Sequence, residues 1–168
     1  MKIPIVNEQD EIIAYKEREE ITPEDISRIV VLHVFNEKGE VLIAKRQSTK
    51  IIHPDKWGPS VSGGVEEGYD YDTTVIKEAG EEIGLKNIVP IFYKKMPKLS
   101  DINSRFTGVY YVIINSEYKL IIQEEEVSEI KWIPVSDLED WYKDKPEDFV
   151  PSFQRSIDTI KEIYKNIA

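Results

Sequence analysis

The sequence predicts a single domain of the mixed α/β class, and three observations carry that prediction. Runs of β-branched and alternating apolar residues recur across 3–47, 88–114 and 128–135. A capped, strongly acidic helix interrupts them at 71–83, and an amphipathic helix ends the chain. The 168 residues suffice for one core without staples, and 40% apolar with 32% charged residues of mixed sign carries no signature of disorder.

Taken in order, "IPIV" and "EIIAYKE" flank the polar "NEQD" and read as a hairpin, an extension within residues 1–20 that offers an edge for a homodimer. Thr22 and Pro23 supply the cap and first position of a helical turn, after which "RIVVLHVF" is a buried strand. "NEKGE" turns the chain into "VLIAKRQ", so residues 28–47 form a second hairpin whose outgoing strand ends on Lys45 and Arg46. Residues 48–68 are rich in Gly, Pro and Ser, show no period, and read as one long functional loop. Asp70 is a good N-cap, 71–83 suits a helix, and Gly84 is its natural end. "IVPIFYKK", "FTGVYYVII" and "SEIKWIPV" follow as strands, with Tyr110 and Tyr111 on opposite faces and the Lys-rich "FYKKMPK" read as a solvated loop. Ser136 and Glu139 make a capping-box pattern for a short helix, and Phe153, Ile157, Ile160, Ile163 and Tyr164 recur at helical spacing.

Composition removes several classes of function. Without cysteine there is no disulfide, thiolate metal site or thiol nucleophile. A formal charge of -10 disfavours general binding to nucleic-acid backbones, so a polyanionic small molecule needs local cations or a metal. The N-terminal residues hold no apolar core of signal-peptide length and no segment approaches a membrane span, so a cytoplasmic protein without membrane contact is expected.

The chemistry gathers on the acidic helix. At helical geometry Glu78, Glu81 and Glu82 fall within an arc of about 100 degrees and about 6 Å of axis. Val75, Ile76, Ala79 and Ile83 form the neighbouring stripe that can bury and hold this acidic face. Three like charges so close repel one another, and a hard divalent cation such as Mg²⁺ would resolve that repulsion. An isolated E-x-x-E-E in so acidic a chain reads as a solvated helix face; the flanking residues decide otherwise.

From Gly63 onward, "KEAGEEIGL" at 77–85 falls in register with the second half of the Nudix box, G-x5-E-x7-R-E-U-x-E-E-x-G-U, where U is aliphatic. The chain therefore resembles a Nudix hydrolase over about residues 28–160, and "KWGPSVSGGVEEG" looks like the subgroup that includes isopentenyl-diphosphate isomerases. Tyr69 stands where the box has Glu and Lys77 where it has Arg, an exchange of a carboxylate–guanidinium pair for phenol and ammonium. The chain length makes residues 1–168 one domain, with 28–160 as its core and 1–20 as a hairpin extension. The resemblance implies an α/β/α sandwich with a mixed central sheet and a catalytic loop-helix. It implies that Glu78, Glu81, Glu82 and a backbone carbonyl near Gly63 hold Mg²⁺ (or Mn²⁺). The metal would neutralise a diphosphate and activate water for in-line attack on a phosphoanhydride of a nucleoside di- or triphosphate or a nucleoside diphosphate derivative.

The general base is Glu78 or a carboxylate of "QEEEVSEIKW", of which Glu126 best matches the resemblance. Arg46 is the preferred phosphate ligand among Lys45, Arg46 and Lys50, and Trp57 either stacks on a base or anchors its loop. His33 reads as a core residue and His53 as a loop residue. Two other functions fit the same residues: an isopentenyl-diphosphate isomerase, disfavoured because that family uses a cysteine, and a non-catalytic binding module with an eroded box, disfavoured because all three motif glutamates remain.

Overall fold

The computed structural model describes residues 1–98 and 103–168. β1 (Ile3–Val6) and β2 (Ile12–Lys16) form the expected hairpin. Its turn is closed by Asn7, whose Oδ1 accepts the amides of Gln9 and Glu11 at 3.0 and 2.9 Å. No helix forms at 22–25. There Asp25 Oδ2 accepts from the Thr22 amide at 2.8 Å, making a tight turn instead, and helical geometry occurs earlier as a 3-10 turn over Arg18–Glu20.

β3 (Ile26–Asn36) and β4 (Glu40–Arg46) follow, joined by a turn in which Gly39 takes a φ of +78° and Asn36 Oδ1 accepts the amides of Lys38 and Glu40. The stretch expected to be one long loop holds two short strands, β5 (Trp57–Gly58) and β6 (Val61–Gly64). α1 (Tyr71–Ile83) is the acidic helix, and β7 (Ile91–Lys98), β8 (Ser104–Ile114) and β9 (Val127–Pro134) complete the strands. α2 (Val135–Asp144) and α3 (Phe153–Ile167) end the chain. Two expectations fail locally. The "FYKKMPK" segment continues β7 because the eleven-residue β8 offers it a full-length partner. Ser136 caps nothing, since α2 starts one residue earlier with Pro134 at the cap position, and Glu139 pairs with Lys161 instead.

All strands among the described residues belong to one mixed nine-stranded sheet. β3 is its axis: β8 runs parallel to it along the whole of 26–36, while its other edge meets β1, β6 and β4 in turn. α1 covers one face, where Val75, Ala79, Ile83 and Leu85 pack on Val30, Leu32, Val34 and Tyr110. Ile76 is 48% exposed and stays out of that stripe. α2 and α3 cover the other face, where Leu138, Phe153, Ile157, Ile160 and Ile163 pack on Phe35, Val41, Ile43 and Ile133. The sandwich follows from strands that are apolar on both sides and helices with a single apolar stripe. Tyr110 and Tyr111 accordingly face opposite cores. No helix among the described residues is long and apolar enough to cross a membrane.

The functionally important feature is a fork. β3 and β4 pair only at Phe35 and Val41 and then diverge, β3 toward β6 and β4 toward β5 and β9. The buried hydroxyl of Ser60 bridges the split, accepting from the Val34 amide at 2.9 Å and donating to the Leu42 carbonyl at 2.5 Å. It satisfies two backbone groups that have lost their ladder partners.

Candidate active site

A cleft of about 500 Å³ opens at this fork. Ile29 and Val31 of β3 line it, with Ala44, Lys45 and Arg46 of β4, Ser60 and Ser62 beside β6, and Glu82 and Glu126 as its carboxylates.

α1 is placed with precision by its ends. Asp70 Oδ1 accepts the Thr73 amide at 2.8 Å while Thr73 Oγ1 accepts the Asp70 amide at 2.9 Å, a reciprocal cap. At the other end Gly84 adopts the left-handed conformation and its amide donates to Ala79. Gly80 is not demanded by packing, since a Cβ there would meet only the Leu85 carbonyl at 4.0 Å.

One turn of this helix lies directly on β6. Gly63 is a strand residue opposite Val30, and a Cβ on it would fall 2.5 Å from Glu78 Cδ and 2.6 Å from Cγ. Only glycine lets the Glu78 carboxylate rest against β6. Gly63→Ala is therefore expected to keep the fold while driving Glu78 out of place, lowering turnover by about 100-fold. A parallel unfolding curve and rate assay checks the pair of outcomes.

The three motif glutamates differ in surroundings. Glu81 is half exposed. Glu78 is largely buried, and burial raises its pKa against the lowering effect of Lys77. Glu82 is half-buried on the cleft wall; burial first, then the charge of Glu78, push its pKa up to about 8, even though the Ser62 amide points at its Oε1 from 3.4 Å and Lys50 lies near. Lys77 Nζ sits between Glu78, Glu66 and Glu81 at 3.4, 3.6 and 3.6 Å and lies 5.4 Å from the centre of the Tyr69 ring. Burial alone would lower the Lys77 pKa, but these carboxylates outweigh it. Glu66 therefore supplies an acid beside the exchanged Lys77, and a cation–π contact joins Lys77 to Tyr69.

Among the described residues no three acidic or histidine side chains already converge as a metal cage, and the Lys77 ammonium lies 3.4 Å from Glu78 and 3.6 Å from Glu81. The donor set fits a hard divalent ion all the same. Its oxygens are carboxylate, burial and the charge of Glu78 both press on Glu82, and the missing Cβ of Gly63 brings Glu78 against the β6 backbone.

The remaining predicted residues separate. Glu126 lines the cleft and accepts from Lys50 Nζ at 2.6 Å, so Lys50 orients a carboxylate and its charge is already committed. Arg46 lines the cleft with its Nε donating to the Ile52 carbonyl at 3.0 Å. Trp57 is 7% exposed and packs edge-on to Trp141 at 5.7 Å, which makes it an anchor rather than a stacking platform. His33 is buried, and desolvation pulls its pKa down to about 3, so it stays neutral. His53 lines the cleft rim with a φ of +51°. Sequence reasoning did not single out Ser60, Ser62 or Arg105, all of which line the cleft. Arg105 alone left a signal, as the sole cation in the apolar run of β8.

Residues 25–153 match the NUDIX domain family. An uncharacterised Nudix hydrolase of Escherichia coli K12, YfcD, is 29% identical over 132 residues, spanning 78% of this chain and 72% of that protein. Crystalline DR0079 from Deinococcus radiodurans shares the fold with a TM-score of 0.75 at 20% identity, covering 96% of this chain and 98% of that one. The NUDIX domain of Shewanella oneidensis NrtR, solved with ADP ribose, shares it with a TM-score of 0.62 at 17% identity, covering 88% and 92%. With the acidic helix seated on a glycine strand and the family matched across more than three-quarters of its length, this chain belongs to the NUDIX family.

Proposed function

We propose that the protein is a Mg²⁺-dependent hydrolase of phosphoanhydride bonds acting on a nucleoside di- or triphosphate or a nucleoside diphosphate derivative. The observation that carries the reading is the placement of Glu82, half-buried beside Glu78 on a helix clamped to β6 and opening onto a cleft large enough for a small molecule. Its relatives are named Nudix hydrolases, and one fold neighbour holds ADP ribose, which favours a nucleotide-like ligand.

Glu78, Glu81 and Glu82, with a backbone carbonyl of β6 near Gly63, would hold the ion. When bound, Mg²⁺ supplies charge neutralisation of the diphosphate and Lewis acidity at phosphorus. The chain's own residues do the rest. Arg46 is placed to hold a phosphate oxygen at the rim. Lys50 fixes the Glu126 carboxylate on the cleft wall, where it can accept a proton from an attacking water. Ile29, Val31 and Ala44 form an apolar floor that limits bulk water.

Reaction in H₂¹⁸O with Mg²⁺ and a panel of nucleotides tests this. Label is expected in one phosphate-bearing product, with cleavage abolished by EDTA. Binding of nucleotides without any label incorporation across the panel would instead point to a binding module.

A further inference from the structure

Arg105 has no role in that scheme, yet it is placed as a ligand-binding residue would be. The parallel register of β3 and β8 sets Arg105 beside Ser27, Thr107 beside Ile29 and Val109 beside Val31. Its guanidinium therefore rises from the same sheet face that floors the cleft. Arg105 lines both the cleft and a smaller recess of about 50 Å³ that continues beneath α3, where Arg155, Ser152, Ser156 and Thr107 join it. The two cavities differ in charge. Glu82 and Glu126 line the cleft but not the recess, and no carboxylate is among the described residues that line the recess.

Among the described residues no carboxylate pairs with Arg105, and its buried Nε has no hydrogen-bond partner there. Arg155 donates to the neutral carbonyl of Pro97 at 3.3 Å. Burial and then the charge of Arg155 both act to lower the Arg105 pKa, so the two cations feel one another across the recess. In a chain of net charge -10, carboxylates are plentiful, and a half-buried guanidinium with none beside it among the described residues carries a desolvation penalty that a bound anion would relieve.

We propose that Arg105, supported by Arg155, receives a second anionic group of the substrate, a phosphate or carboxylate carried on the part of the molecule beyond the scissile phosphoanhydride. The word substrate rests on the hydrolase reading; the anion position itself does not. The substrate class this selects is a nucleoside diphosphate derivative with two separated anionic centres. One centre lies at the α1 carboxylates through their metal, and the other at the mouth of the recess. Ser152 and Ser156 on α3 supply hydroxyl donors beside it.

The test reads the Arg105 side chain directly. The Nε–H signal of ¹⁵N-labelled protein, assigned by its loss in Arg105→Lys, is followed as inorganic phosphate is added in EDTA. A saturable shift below about 10 mM phosphate is expected, with affinity weakened about tenfold in Arg155→Gln and unchanged in Glu82→Gln. The titration is then repeated with Mg²⁺ and saturating methylenediphosphonate, a non-hydrolysable diphosphate. Phosphate should still reach Arg105. Absence of any shift at Arg105 overturns the proposal, as does displacement of phosphate from Arg105 by the diphosphonate, which would assign the arginine to the scissile group. A protein that fails to release labelled product from any nucleotide would sink the hydrolase reading alone, because the phosphate titration needs no turnover.

Discussion

Glu82→Gln is expected to lower turnover by about three orders of magnitude, the equivalent of about 4 kcal/mol of transition-state stabilisation, with the fold intact. The substitution is nearly isosteric, so packing is preserved, while the neutral amide cannot neutralise a divalent ion. The same residue gives a second readout with a definite sign. In metal-free protein the Glu82 pKa is raised from 4.5 to about 8, mainly by burial and then by Glu78. Between those values the folded state retains a proton that the unfolded chain has released, so this contribution to stability is full below pH 4.5 and is lost as pH rises toward 8. In EDTA, wild-type protein should lose stability relative to Glu82→Gln across that window, and the variant should be the more stable of the two at pH 8. Adding Mg²⁺ should reverse the order, because the ion stabilises the ionised carboxylate and releases its proton. Thermal unfolding of both proteins at pH 5 and pH 8, with and without the ion, gives the four numbers required. Equal turnover in the two proteins would remove Glu82 from the chemistry.

These expectations draw on a helix that was legible before any coordinates. Asp70, Gly84 and the spacing of Val75, Ala79 and Ile83 specify α1 locally, through a cap, a left-handed terminus and one apolar stripe. Ile76 was misplaced because a period alone cannot tell which edge of the stripe meets the sheet. β5 and β6 were illegible for a different reason. They are two and four residues long, and β6 is half glycine, so neither has room for an alternating pattern; they exist because β4 and β3 offer unpaired edges beyond the fork. The glutamates were legible through the flanking box and not through their spacing, which alone reads as a solvated helix face, and the contact of the Lys77 ammonium with Glu66 joins a separate segment. Arg105 was the least accessible residue. Its neighbours Ser152, Ser156 and Arg155 stand some fifty residues later in the chain and reach it only through the crossing of α3 over β8, a contact with no local signature.

Asp10→Ala is expected to destabilise the protein by about 3–5 kcal/mol, the cost typical of leaving a buried charge without its partner. Asp10 is 8% exposed and ties four elements together. Its Oδ1 accepts from Arg28 Nε at 2.7 Å, its Oδ2 accepts from Tyr71 Oη and Lys95 Nζ at 2.9 Å each, and its carbonyl accepts from Arg28 Nη2 at 2.6 Å. The hairpin turn, β3, the first residue of α1 and β7 thus meet at one carboxylate. Burial by itself would raise the Asp10 pKa, but the hydrogen bonds from Arg28, Lys95 and Tyr71 prevail and hold it below 3.8. The sign follows from that: the contribution is fully present above pH 3.8 and is lost as pH falls through the lowered folded value. Asp10 also occupies the left-handed region at φ +61°, where Ala is strained by about 1–2 kcal/mol while Asn is well tolerated. Asp10→Asn therefore isolates the charge from the backbone. Urea midpoints for wild type, Asp10→Asn and Asp10→Ala should fall in that order. The gap between the first two should narrow as pH falls from 3.8 and close below the lowered folded value, where protonated wild-type Asp10 comes to resemble the amide. Because Tyr71 is the first residue of α1, the Asn variant should also weaken the hold on the helix that carries Glu78 and Glu82. A loss of turnover at pH 7 larger than its small unfolded fraction explains would show that coupling. Identical unfolding curves for the three proteins would mean that the hairpin is bound by β1 and β3 pairing alone.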